Sequence, residues 1–269
     1  MCTSLGDDDF GRFLEATLDE NGVARVKRDL CSRAITTMAF VTLDENGDRS
    51  FTFARKPGAD MFIEEEDVRE EDIAGSTIIH AGSCSLSAEP ASSATMRALR
   101  LGHEKGCLVS FDVNYRDLLW DGDEEACMRT VRKVLPFVDL LKISEEEAVS
   151  LGGEEAIPAL MHENGITAVV ETLGGNGVRC FFKDIVLEDP AHQVTCVDTT
   201  AAGDAFWGAV LSYLHLNGVR KADDITEELL GGALQYGNAA GGICVQRYGA
   251  ISALPHREMI LEVVNDSRL

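Results

Sequence analysis

A chain of 269 residues, 45% of them hydrophobic, carries enough apolar side chain for a substantial buried core, as one large α/β domain or two smaller ones. Its formal net charge of −22 sets it against nucleic acid and anionic membrane surfaces, since both would repel it. No apolar run is long enough to span a bilayer, no signal-type segment opens the chain, and the eight cysteines show neither a C-x-x-C nor a zinc-partner histidine, so the expectation is a globular cytoplasmic protein with reduced thiols.

Residues 1–5 read as a strand-like run, followed by Gly6-Asp7-Asp8-Asp9-Phe10-Gly11 and an amphipathic helix reaching about Asn21-Gly22. Residues 34–43 and 49–54 are β-branched and aromatic runs around Asp44-Glu45-Asn46-Gly47-Asp48. Asn-Gly between two such runs predicts a hairpin. Arg55-Lys56-Pro57-Gly58-Ala59-Asp60 comes next; a surface Arg after a strand usually contacts nothing in particular, and Arg55 is a ligand candidate only in a wider pattern.

From residue 73 strands and helices alternate: strand 77–81, helix 88–105, strand 107–111, helix 124–135, strand 138–143, helix 158–164 and strand 167–172. That rhythm predicts a parallel sheet covered by helices, with the strands' carboxyl ends on one rim where open α/β sheets bind ligands. Polar clusters follow these strands. Asp112-Val113-Asn114-Tyr115-Arg116 follows the second, in ligand contact or capping a turn. Lys142-Ile143-Ser144-Glu145-Glu146-Glu147 follows the third, with Glu145 and Glu146 as solvated residues opening a helix. Glu171-Thr172-Leu173-Gly174-Gly175-Asn176-Gly177 is a Gly-rich turn after the fourth, weak evidence by itself. A hairpin of 178–182 with 185–187 then leads to a strand at 193–197.

The stretch from Val197 to Leu211 ends that strand, turns through small residues and opens a long helix. Ala201, Ala202 and Gly203 leave first-turn N–H groups uncovered, and a helix start carries partial positive charge that suits a phosphate. Asp204 would place a carboxylate beside that anion, which hinders binding and suits proton removal from an attacking hydroxyl. The pattern points to phosphoryl transfer. Downstream, Gly237-Asn238-Ala239-Ala240-Gly241-Gly242 predicts a helix packed closely on its neighbours, which accounts for the glycines and not for Asn238. The six histidines are isolated, as surface or satisfied residues.

The string Asp198-Thr199-Thr200-Ala201-Ala202-Gly203-Asp204 resembles the D-T-x-G-A-G-D signature of the PfkB-type carbohydrate kinases, which include ribokinase and fructokinase. Ala201 stands where the family has Gly; if that position needs a positive φ the swap costs about 1 kcal/mol, and otherwise it is mild. The resemblance covers nearly every residue. It implies an α/β, ribokinase-like, doubly wound and mostly parallel sheet, one domain over residues 1–269 with a small incomplete β lid at 34–60. In that family a core strand, part of the lid and a Gly-Gly segment that grips the sugar precede the piece like Gly6 to Gly11, and none of that stands before Met1, so the expectation is a chain lacking some sugar-binding residues.

The same resemblance implies ATP-dependent phosphorylation of a sugar hydroxyl, of fructokinase type. Asp204 would be the base, with Ala201, Ala202 and Gly203 as the anion hole. Arg55 lies in an R-x-P-x-A-D element and Asp112, Asn114 and Arg116 in a D-x-N-x-R motif, both on the sugar side. Lys142, Thr172, Gly174, Gly177 and Asn238 match nucleotide-site positions. Glu147 is implied in the indirect binding of Mg²⁺, and Asp198 with Thr200 in holding a monovalent cation such as K⁺. Sugar and ATP are the implied partners, and an uncovered lid edge leaves a homodimer through the lid open. Two alternatives stand beside this reading. A 2-keto-3-deoxygluconate kinase would use Arg55 and Arg116 on the acid's carboxylate. A catalytically inactive relative kept for binding or scaffolding would fit the absent opening section and Ala201.

Overall fold

The structure, a computed structural model, describes residues 1–43 and 49–266, so the expected Asn46-Gly47 turn lies outside the described residues. Two compact units share the chain: one takes Met1–Ser76, Ala81–Lys105 and Asn114–Val134, the other Thr77–His80, Gly106–Val113 and Leu135–Leu269.

In the first unit, helix α1 (Asp9–Glu20) starts on Asp8, whose carboxylate accepts the Gly11 N–H at 2.8 Å and the Thr36 N–H at 2.7 Å. One short acid thus caps the helix and ties it to the segment entering the lid. Gly11 has to be Gly, because a Cβ there would stand 1.9 Å from the Gly6 carbonyl oxygen. Strands β1 (Met38–Leu43) and β2 (Arg49–Ala54) pair antiparallel from Met38↔Ala54 to Leu43↔Arg49, the hairpin that the two aromatic runs predict. The run at 1–5 does not become a strand. Its carbonyls meet isolated donors instead, Val26 N–H on Met1 and Cys31 N–H on Leu5, because the segment opposite, with Arg25, Lys27, Arg28 and Asp29, is too polar and bent to build a ladder. Helices α2 (Glu70–Ala74), α3 (Ala91–Glu104) and α4 (Glu124–Val134) complete this unit. Pro90, the N-cap residue of α3, sets its start three residues beyond the expected one.

The second unit is built on a six-stranded sheet whose order follows the sequence: β3 (Ile78–Gly82), β4 (Leu108–Asp112), β5 (Leu140–Ser144), β6 (Ala168–Thr172), β7 (Val178–Phe182) and β8 (Ile185–Asp189). Strands β4, β5 and β6 run parallel, whereas β7 and β8 return antiparallel as the predicted hairpin. Helices α5 (Glu145–Ser150), α6 (Ile157–Asn164), α7 (Ala202–Leu216), α8 (Glu227–Cys244) and α9 (Arg257–Asp266) accompany it.

Alternation along the strands decides what each face does. Leu108, Leu140, Ala168, Val170, Val178, Cys180 and Phe182 form one buried cluster with Phe206, Trp207, Val210 and Leu214 of α7 and Leu230 and Leu234 of α8, with Ile78 packed against it. Two or four residues beyond these apolar positions, on the same face, stand His80, Ser110, Asp112, Lys142 and Thr172. The sheet therefore turns from apolar to polar along the face that α7 covers. None of the eight cysteines is in a disulfide, and burial pushes the Cys180 thiol up to about 12, so it packs as a small hydrophobe. Among the described residues no helix is long and apolar enough to cross a membrane.

Candidate active site

The start of α7 is held from both sides. Asp198 accepts the Thr200 N–H at 2.8 Å through one oxygen and the Gly249 N–H at 3.2 Å through the other, and the Ala202 N–H turns back to the Thr199 carbonyl at 3.2 Å. Ala201, the N-cap residue, has φ 61 and ψ 9, in the left-handed region. The first-turn N–H groups of Gly203 and Asp204 have no acceptor within the helix and carry its positive end. Asp204 is exposed there, the third residue of α7.

Ala201 consequently takes the more costly of the two alternatives that its sequence leaves open. An L side chain in this region costs about 1–2 kcal/mol, offset by the 0.4–1 kcal/mol of unfolded-state entropy that Ala saves relative to Gly. Ala201→Gly is expected to stabilise the chain by about 0.5–1 kcal/mol and to raise the thermal midpoint by a few degrees. A midpoint that stays or falls in calorimetry would show that the turn is unstrained.

Lys142 and Asp112 face each other across β4 and β5, in direct register, with Nζ 2.8 Å from Oδ2. Both are buried, at 6% and 3% exposure, and the second oxygen of Asp112 has no hydrogen-bond partner. Gly203 matters here for its lack of a side chain. A Cβ on it would lie 3.4 Å from the Lys142 nitrogen, so the ammonium rests against the first turn of α7 and adds a full charge to the helix's partial one. The sequence places Asp112 on the sugar side and Lys142 on the nucleotide side; the structure joins them in one ion pair.

Of the three consecutive acids after β5 only Glu147 is buried. Its carboxylate accepts the Ser144 N–H at 2.8 Å while the Ser144 hydroxyl accepts the Glu147 N–H at 3.3 Å, a capping box that fixes where the acid points. Glu145 and Glu146 are exposed, as expected for solvated residues opening a helix.

Beside α7 lies a cavity of about 410 Å³ lined by Thr172, Gly174, Gly175 and Gly177 on one side, residues 191–194 and Cys196 on another, and Ala202, Gly203, Phe206, Asn238, Gly241 and Gly242 on a third. The turn at its floor needs its glycines: Gly174 has φ 55 and Gly177 φ 106, and a Cβ on Gly177 would stand 2.2 Å from the Asp189 carbonyl oxygen. Thr172 donates to the Ile143 carbonyl at 3.3 Å. Asn238 donates to the backbone and side-chain oxygens of Asp189, at 3.0 and 2.5 Å, tying α8 to the end of β8 while it lines the cavity. The expected strand at 193–197 is absent. Those five residues are exposed, Gln193, Val194 and Cys196 line the cavity, and the Val197 and Asp198 N–H groups go to the Val245 carbonyl rather than to a strand. Strand propensity there is overridden for want of a ladder.

The first unit holds the other three site residues. Arg55, with a side chain 8% exposed, pairs with Asp60 at 2.8 Å and donates to the Ser87 hydroxyl at 2.9 Å and the Cys84 carbonyl at 3.3 Å. Asn114 adopts φ 44, which Asn tolerates better than most residues, and its carbonyl receives the Ser83 hydroxyl at 3.4 Å. Arg116 is exposed and donates to the Tyr115 carbonyl at 2.8 Å.

Sequence reasoning misses Ser110, Trp207 and His80. Ser110 Oγ receives the Trp207 indole N–H at 2.8 Å and lies 3.0 Å from His80 Nδ1. The signal that could have found it is its position two residues before Asp112, on the same face of the strand.

Comparison with known proteins finds relatives along the whole chain. The sequence profile of the pfkB family carbohydrate kinases matches residues 1–257. Fructokinase-1 from Zea mays is 36% identical over 265 residues, which take in 97% of this chain and 80% of that protein. The crystal structure of fructokinase with bound ATP from Xylella fastidiosa matches at TM-score 0.92 and 30% identity, over 100% of this chain and 85% of that one. That of fructokinase from Vibrio cholerae O395 in its fructose, ADP and calcium ion bound form matches at 0.84 and 29%, over 97% and 84%.

Proposed function

This chain belongs to the pfkB family of carbohydrate kinases, and from that premise we propose that it phosphorylates a hydroxyl of fructose with ATP. The observation that carries the reading is the exposed carboxylate of Asp204 on the first turn of α7, a turn whose Gly203 lies against a buried lysine and lines a cavity of about 410 Å³.

Asp204 takes the proton of the attacking hydroxyl as its oxygen bonds to the γ-phosphorus of ATP and the bond from that phosphorus to ADP breaks, ADP leaving. Negative charge on the moving phosphoryl group meets the N–H groups of Gly203 and Asp204 beside the left-handed turn at Ala201, the Ala202 N–H being taken by the Thr199 carbonyl, and Lys142 adds its charge from below. These donors are fixed before the reaction, so little reorganisation is needed as charge develops. Asp112 keeps Lys142 in place at 2.8 Å. ATP enters the cavity over the Gly174 to Gly177 turn, with Asn238 and the small residues of α8 along one wall.

A divalent ion brought with ATP would offset phosphate charge, and because such ions keep many of their waters, one oriented carboxylate would suffice on the protein side. Glu147 fits that need: it is buried, and the Ser144 N–H fixes its direction. Asp198 and Thr200 would serve a monovalent cation such as K⁺, since two backbone N–H groups already orient the Asp198 carboxylate.

A neutral sugar suits the site better than a sugar acid. Of the two cations offered for a carboxylate, Arg55 is already paired with Asp60, which leaves Arg116 to bind it alone. The test is coupled ADP release with Mg²⁺ and K⁺, comparing fructose, ribose and 2-keto-3-deoxygluconate. Fructose is expected to give the highest kcat/KM. A higher value for the acid would move the assignment to the acid kinase, and no sugar-dependent release would remove the catalytic reading.

A further inference from the structure

Strand β4 is buried to its last side chain, and Leu108, Val109 and Phe111 are fully covered. Ser110 is equally covered and yet polar, and its hydroxyl receives the indole N–H of Trp207 from a position 97 residues away. An indole N–H can only donate, so Ser110 Oγ is the acceptor; its own proton suits His80 Nδ1, 3.0 Å off on β3. A core of this kind could hold Ala and Phe without either polar group. Stability alone gives little reason for the pair.

Its position gives one. Trp207 follows Asp204 by three residues, on the same side of α7. On an adjoining side α7 packs on α8, against Leu234 and Tyr236 and closely over the glycines at 237 and 241. Gly237 accepts Phe206 and Val210 so closely that a Cβ would stand 2.8 Å from each, and at Gly241 a Cβ would stand 3.5 Å from the Ala202 carbonyl oxygen. Phe206 and Val210 set how closely α7 approaches α8, through apolar contacts that have no direction of their own, so the facing of the first turn calls for a further constraint. A buried, directional hydrogen bond supplies that constraint, because turning the helix would orphan both of its ends.

We propose that Ser110 and Trp207 are positioning residues for phosphoryl transfer, their hydrogen bond fixing the rotation of α7 and so the direction in which Asp204 presents its carboxylate. The inference rests on the reading of Asp204 as the base.

Ser110→Ala and Trp207→Phe each remove one end. Both are expected to lower kcat about tenfold, because small misplacements of a reacting group are costly, while KM for ATP stays within about twofold. The double variant should be no slower than either single one, and Ser110→Thr, which keeps the hydroxyl, should recover most of the rate. In the amide spectrum, Ser110→Ala should shift the resonances of residues 202–206. Single variants with wild-type kcat, or effects that multiply in the double variant, would overturn the proposal. A wild-type chain that phosphorylates no sugar would sink the functional reading instead. The spectrum would then decide, and unmoved resonances at 202–206 would overturn the inference.

Discussion

An Asp204→Asn chain is expected to bind ATP as the wild type does and to phosphorylate sugar about 10³ times more slowly. The amide has the shape of the carboxylate and cannot take the hydroxyl proton. Asp204 is exposed on the first turn of α7, where losing its charge costs the helix only about 0.3–1 kcal/mol. The thermal midpoint should therefore barely move, and the deficit would be chemical. Steady-state ADP release and ATP titration calorimetry separate the two quantities. Turnover near the wild-type rate would remove Asp204 from the mechanism.

Removing the partner of Lys142 should act on the whole unit. In Asp112→Ala the ammonium, 6% exposed, keeps its place without the carboxylate 2.8 Å away, and breaking such a pair costs about 3–5 kcal/mol. Urea unfolding followed by tryptophan fluorescence should show the midpoint falling accordingly. Asp112→Leu with Lys142→Met should restore much of the loss, since an apolar pair of similar size leaves no charge stranded. The repaired chain should stay slow, because the positive charge beneath α7 is gone. Full stability in Asp112→Ala would mean that water reaches Lys142.

These two residues also show how far the sequence can be read. Each follows an apolar run, Asp112 as the last residue of β4 and Lys142 two residues before the end of β5, so a place near the rim is visible in the pattern around it. That they pair depends on the register of β4 against β5, which no local pattern contains. The alternation of strand and helix from residue 73 and the small-residue opening of α7 are local signals, and both survive in the structure. Residues 193–197 have a strand's composition and become an exposed segment of which Gln193, Val194 and Cys196 line the cavity, because propensity cannot supply a neighbour to pair with. Ala201 is a subtler case: the sequence poses the alternative of ordinary or left-handed backbone, and only the turn between Asp198 and α7 answers it. Arg55 reads as a hand reaching for ligand, whereas its burial and its bond to Asp60 come from folding the segment back on itself. Ser110 and Trp207 stand too far apart in the chain for any window to join them.

The seam between α7 and α8 bears on how this sequence can change over time. Phe206 and Val210 fill the space that a side chain at Gly237 would need. A larger residue at 237 thus becomes tolerable only after the ring or the valine opposite has shrunk, and the shrunken intermediate would leave a void. Either first step weakens the core, by crowding or by a cavity. The seam is a lock in sequence space. Descendants of this chain should hold these three positions together or exchange them together, while exposed neighbours such as Gly208 drift freely.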